Sequence, residues 1–187
     1  MRKVIIHELA GKIGFLKAYV EENVNKFDEE FISMVANIDL LTRYLSDTHL
    51  GEEYRPRKRK VNLKELLEES VLELDLFARI KGVKFLFSGC DDVNLYTDPF
   101  ILSRVFFNLL HNSVKFSPHG GKVMLVCRRE DSRTAVTIEN EVSDEEPHRG
   151  TGMGMEISSD LLNLIGGKLE ARRSTSRFRV TVYVQDG

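Results

Sequence analysis

The chain has 187 residues, 42% of them hydrophobic and 30% charged, with a formal net charge of −2. That length holds one ordinary domain plus a smaller element, and the near-neutral balance argues against a nucleic-acid binder, whose domains carry a marked positive excess. No apolar run approaches bilayer length and the amino terminus lacks a signal-peptide pattern, so a cytoplasmic protein without direct membrane insertion is expected.

In chain order, Ile6, Leu9, Ile13, Leu16, Val20, Val24 and Phe27 recur in steps of three and four and mark a helix with one apolar stripe. Phe31, Met34, Ile38, Leu41 and Leu45 repeat the spacing after a polar break at Asn25 to Glu30, which predicts an antiparallel helical hairpin. A lone hairpin has little core. Docking against a second copy would bury both stripes, so residues 1–54 are expected to form a four-helix bundle in a homodimer. The run Glu52 to Lys60 has the proline and charge density of a solvated connector, with its basic residues partly offset by the acidic pair beside them.

Residues 61–187 switch to mixed helix and strand. Asn62 is placed to cap a helix reaching Lys81, with Leu63, Leu66, Leu67, Val71, Leu74 and Phe77 inward and Gly82 as its stop. Strands are expected at 83–87 and 93–96, and Asp98-Pro99 then opens a long helix in good capping style. Strands at 122–128 and 135–139 precede a glycine turn and a helix to about Ile165, which Gly166-Gly167 ends. Two last strands, 168–172 and 178–184, complete a mixed sheet with helices on one face, an α/β sandwich behind the helical hairpin, hence an α+β chain. The stretch from Arg172 to Arg177 reads as a plain hairpin turn. Cys90 and Cys127 lie far apart and outside any Cys-x-x-Cys pair, which predicts core cysteines rather than a zinc site or a disulfide.

Chemistry concentrates in two segments. In Asn108-Leu-Leu-His-Asn112-Ser-Val-Lys115-Phe116-Ser-Pro118, helical spacing puts Asn108 and Asn112 on one face, where their amide oxygens suit a Mg²⁺ ion that bridges phosphates, with Lys115 adding charge. In Gly150-Thr-Gly152-Met-Gly154-Met, the glycines permit close approach to a ligand, and the helix that follows offers unpaired N–H groups to a phosphate.

Together the two patterns resemble the N-box and G-box of the ATP-binding domain of bacterial two-component sensor histidine kinases, a pocket shared with gyrase, the Hsp90 chaperones and MutL. The resemblance implies that ATP and Mg²⁺ bind through Asn108, Asn112 and Lys115, with Phe116 lining the adenine pocket and Gly150, Gly152 and Gly154 holding the phosphates. It also gives meaning to His7-Glu8-Leu9 in the first helix, which resembles the H-box. His7 follows the stripe residue Ile6, so it sits at the flank of the bundle. A neutral imidazole, with an unperturbed pKa of about 6.5, can attack the γ-phosphorus, and Glu8 is the candidate base for the proton of the other ring nitrogen. The implied final acceptor is an aspartate on a response-regulator receiver domain.

The chain departs from the family's pattern in four places. Where Asp-x-Gly-x-Gly is usual, Asn140 replaces the aspartate that reads the adenine amino group, and both glycines are missing; a neutral amide accepts that bond more weakly. The segment Glu141 to Arg149 is much shorter than the usual lid. Gly11, four after His7, cannot position water against a phosphorylated aspartate, so little phosphatase activity is expected. The few residues before His7 leave no room in this chain for a sensor. The leading expectation is an ATP-dependent histidine kinase core that autophosphorylates His7. Two alternatives stand beside it: an ATP-independent histidine phosphotransferase that relays phosphoryl groups between response regulators, and a non-catalytic ATP-binding sensor.

Overall fold

A computed structural model describes residues 55–142 and 153–185, with scattered positions between 11 and 38. The chain divides into two compact units, Met1–Arg55 and Pro56–Gly187. In the first, the described positions from 11 to 22 are helical, as are Phe31, Val35 and Ile38. Ile13 and Val20 are buried, as their place in the stripe predicts, but Ile38 is 38% exposed and Val35, outside the expected stripe, is buried. From Phe31 the inward face therefore steps to Val35, one full helical turn on. The remainder of the expected hairpin and its pairing with a second copy lie outside the described residues.

The second unit is built on a five-stranded mixed sheet of β2 (Lys84–Ser88), β4 (Lys122–Glu130), β5 (Arg133–Glu141), β7 (Arg177–Gln185) and β6 (Lys168–Arg173), in that spatial order. Only β2 and β4 run parallel; the other pairs are antiparallel. The period-two alternation of these strands explains why one face is dry. Val123, Leu125, Val136, Ile138, Val180 and Val182 are all nearly inaccessible and face the helices, while Met124, Val126, Thr137 and Thr181 on the other face are partly exposed.

The helices are α1 (Leu63–Leu72), α2 (Asp75–Lys81), α3 (Pro99–Phe116) and α4 (Met153–Leu164). Central to them is α3, whose Leu102, Val105, Phe106, Leu110 and Val114 are 0% exposed. Both ends of α3 are satisfied. Asp98 caps it by accepting from the Phe100 and Ile101 N–H groups at 2.9 and 3.1 Å, and its other oxygen accepts from the Arg57 N–H. At the far end the Lys81 ammonium donates to the carbonyls of Lys115 and Ser117 at 2.7 and 2.8 Å and to that of Val114 at 3.3 Å.

Three expectations are corrected. The single helix from Asn62 to Lys81 is two helices: Asn62 does cap the first, accepting from Glu65 N–H at 3.2 Å, and Gly82, at φ 63°, does end the second, but a tight turn intervenes at Glu73-Leu74. No proline or glycine marks that break. The tighter turn lets Leu74 and Ala78 face the core, at 3% and 4% exposure, and leaves Leu72 outside. Second, the end of the expected connector is a strand, β1 (Arg59–Asn62), paired antiparallel with β3 (Asn94–Thr97) in a sheet of their own, so β3 does not join the main sheet. Its charged side chains look outward and only Val61 is buried, which is why the run reads as solvated. Third, Cys90 and Cys127 form a disulfide with Cα atoms 4.8 Å apart. The parallel register that sets Ser88 opposite Val126 brings together cysteines separated by 37 residues in the chain.

Candidate functional site

The flanks of Asn108 and Asn112 explain how α3 presents them. Phe107, Leu109, Leu110, His111 and Ser113 are buried, whereas Asn108, Asn112, Lys115 and Phe116 are only partly covered. A helix enclosed on its other sides thus leaves one polar strip near its C-terminal half. Neither asparagine side chain is hydrogen-bonded to a described residue, and the Lys115 ammonium lies 5.5 Å from the Phe116 ring centroid, a cation–π arrangement.

Gly154, in the first turn of α4, meets this strip. A Cβ there would stand 3.2 Å from the Asn112 amide nitrogen, closer than side chains ordinarily approach. The asparagine motif and the last glycine of the glycine motif, far apart in the chain, are therefore neighbours in space. Ser158, fully buried one turn on, donates to the Gly154 carbonyl at 2.7 Å and steadies that turn.

Asn140 lies near the end of β5, opposite Val123, on the helix-covered face of the sheet. It is 2% exposed. Its amide nitrogen donates to the Glu141 carbonyl at 2.8 Å, while its amide oxygen is buried with no hydrogen-bond partner among the described residues. A buried acceptor without a donor is costly, about 1–3 kcal/mol, and a ligand amino group would relieve it. That orphaned oxygen fits the adenine ring of ATP.

Among the described residues no group of three or more His, Cys, Asp or Glu could cage a metal. The amide oxygens of Asn108 and Asn112 fit a different arrangement, in which Mg²⁺ takes one or two protein ligands and completes its shell with phosphate and water. Of the expected site residues, the structure brings Asn112 and Gly154 together, carries Asn108, Lys115 and Phe116 along the same helix, and sets Asn140 on the helix-facing side of the sheet. His7, Glu8, Gly150 and Gly152 lie outside the described residues.

Two supporting residues escape a reading of the sequence. His111 is buried between Phe77 and Phe107, with ring centroids at 5.3 and 6.2 Å, and this aromatic stack anchors α3 with the Asn108–Asn112 edge outward. Lys81 holds the end of α3 beside Lys115; its place just before Gly82 signalled only a favourable charge at its own helix terminus. On the opposite face of the sheet, Glu139 is buried between Arg177 and Arg179. Burial opposes its ionisation, but hydrogen bonds from the two guanidinium groups outweigh that and hold its pKa below the ordinary carboxylate value.

Residues 97–186 match the family described as histidine kinase-, DNA gyrase B-, and HSP90-like ATPase. The chain is 25% identical over 199 residues to the signal transduction histidine-protein kinase BaeS of Escherichia coli K12, a match that covers 91% of this chain and 43% of that protein. It therefore spans less than half the length of this relative. Among solved structures, histidine kinase ThkA in complex with the response regulator TrrA matches with a TM-score of 0.67 at 16% identity, over 99% of this chain and 60% of that one. Full-length ShkA in complex with AMPPNP gives 0.67 at 19% identity, over 97% and 44% respectively. The matched region carries Asn108, Asn112, Asn140 and Gly154, and the match of residues 97–186 to the histidine kinase-, DNA gyrase B-, and HSP90-like ATPase family, together with the similarity to BaeS, supports a two-component histidine kinase ATP-binding catalytic domain there.

Proposed function

We propose that this chain is a histidine kinase core that autophosphorylates His7 from ATP and passes the phosphoryl group to an aspartate of a response-regulator receiver domain. The observation that carries the reading is the approach of Gly154 to Asn112, which joins the two phosphate-side motifs at one place. The orphaned oxygen of Asn140 supports adenine as the base. That ThkA is seen with a response regulator and ShkA with AMPPNP favours the same partner and nucleotide here.

Phosphoryl transfer asks a protein mainly for positioning and charge neutralisation. A bound Mg²⁺ would supply part of that charge. Asn108 and Asn112 would hold it, Lys115 would add positive charge near the phosphates, and Gly154, lacking a side chain, leaves room beside Asn112. The His7 imidazole forms the new N–P bond as the bond from the γ-phosphorus to the bridging oxygen breaks and ADP departs. Glu8 takes the proton from the other ring nitrogen. The helical stripes of residues 1–54 support a homodimer, in which His7 of either subunit is the acceptor.

The test is incubation of the purified chain with γ-labelled ATP and Mg²⁺, following acid-labile label on wild type, His7→Ala and Asn112→Ala. Label on wild type and on neither variant is the expected result. ATP binding without label would point to a nucleotide sensor. Failure to bind ATP, with acceptance of label from a phosphorylated regulator, would replace the kinase with a phosphotransferase, a reading favoured by the uncharged acceptor at Asn140.

A further inference from the structure

The face of the main sheet turned away from the helices is charged in an uneven way. A depression of about 620 Å³ lies on it, bordered by Lys122, Arg128, Arg172, Arg177 and Arg179 and floored by Met124, Val126 and Thr137. Its carboxylates are mostly engaged: Glu139 with Arg177 and Arg179, Glu130 with Arg133, and Glu170 with Lys168. Glu141 is an exposed carboxylate of the same depression, and of the bordering cations Arg177 and Arg179 are engaged with Glu139. Lys122 and Arg128 are exposed with no ion-pair partner among the described residues, Arg172 is exposed and makes no salt bridge there although its charge acts on Glu170, and Lys84 adds a further exposed charge on β2. In a chain of net charge −2, this face carries unspent positive charge.

The apolar residues are placed with equal regularity. Leu86, 40% exposed, pairs in register with Met124, and in the same row across the sheet stand Glu139, Arg179 and Arg172. The apolar residues thus lie on the β2–β4 side, flanked there by Lys84, Lys122 and Arg128, while Arg172, Arg177 and Arg179 stand on the β6–β7 side. We infer that this face docks an acidic protein segment with an apolar side, whose carboxylates meet Arg172 and Lys122 while its apolar side chains lie on Leu86 and Met124. Charge complementarity selects the sign of the partner, and the apolar floor supplies burial that a purely ionic contact lacks. A single-stranded nucleic acid fits less well. Tyr183, the aromatic residue of the depression, is already covered by the Arg133 guanidinium at 4.2 Å from its ring centroid, which leaves no free platform for stacking bases. The carboxylates in the middle of the face would also repel a uniform phosphate chain.

The experiment uses the full chain and a fluorescent amphipathic peptide of glutamate and leucine, followed by anisotropy at physiological salt. Controls are the same peptide with lysine for glutamate, oligothymidylate, and phosphatidylglycerol vesicles. Wild type is expected to bind the acidic peptide alone, and Lys122→Glu/Arg172→Glu to weaken that binding by about tenfold or more with ATP affinity unchanged. If the charge reversals impair folding in a urea titration, Lys122→Gln/Arg172→Gln replaces them, with a loss of about threefold expected. Absence of peptide binding, equal binding by the variants, or equal binding of oligothymidylate or vesicles would overturn the proposal.

Discussion

At Gly154 the interests of the helix and of the site oppose each other. Alanine there would strengthen α4 by about 1 kcal/mol through helix propensity. Its Cβ would meet the Asn112 amide at 3.2 Å, however, and push aside a group that the proposed function assigns to the nucleotide. Gly154→Ala should therefore leave the urea midpoint equal or raised while ATP affinity drops by about tenfold, a misplacement effect of the expected order; unchanged affinity in a calorimetric titration would contradict the role given to this contact. Glu139 illustrates the reverse, a charge that matters for stability on the face away from the site. Because its folded pKa is depressed, its contribution is present above the unfolded value of about 4.3 and is lost as pH falls through the folded pKa. Glu139→Gln should cost about 1–2 kcal/mol at pH 7, with half-exposed arginines tempering the loss, and the gap to wild type should close on acidification below about pH 4. Urea unfolding at both pH values measures it. Asn108, Asn112 and Lys115 were legible as a set because helical spacing alone puts them on one strip. His111 was not, since an isolated histidine among apolar neighbours carries no sign of the Phe77 and Phe107 rings that enclose it.

Elements inherit their ends from such residues, and α3 shows how far the sequence specifies them. Asp98-Pro99 announces its start, and the structure has Asp98 accepting three backbone N–H groups. Its end depends on Lys81, which belongs to α2 and reaches three carbonyls there. Lys81→Met keeps the apolar stem but removes those donors, and should lower stability by about 1–3 kcal/mol through unsatisfied carbonyls and the lost charge at the helix terminus. Hydrogen exchange should localise the loosening to the last turn of α3, beside Lys115; protection lost evenly over the unit would argue against this local role. The turn at Glu73-Leu74 shows the opposite limit. No breaker residue marks it, and the burial of Leu74 and Ala78 against the rest of the unit outweighs the good helical propensity of the segment.

For the whole molecule, the Cys90–Cys127 bond closes a loop of 37 residues and ties the segment after β2 to the middle of β4. Loop-closure entropy for that length stabilises by up to about 4 kcal/mol, so reduction should lower the unfolding free energy by about 2–4 kcal/mol. Urea titrations with and without dithiothreitol compare the two states, and coincident curves would show that the bond contributes nothing in solution. Among the described residues, no helix is long and apolar enough to cross a membrane, as the absence of a long apolar run indicates. The sequence by itself determined most of the helices and strands of the second unit and the capping of α1 and α3, because these follow from local periodicity and backbone preference, and it singled out the amides and glycines from which a nucleotide site is proposed. Tertiary structure decided the separate β1–β3 sheet, the cysteine pair, the contact of Gly154 with Asn112 and the charged outer face of the main sheet. Each depends on strand register or helix packing between residues distant in the chain, and neither spacing nor composition records which distant partner a residue will meet.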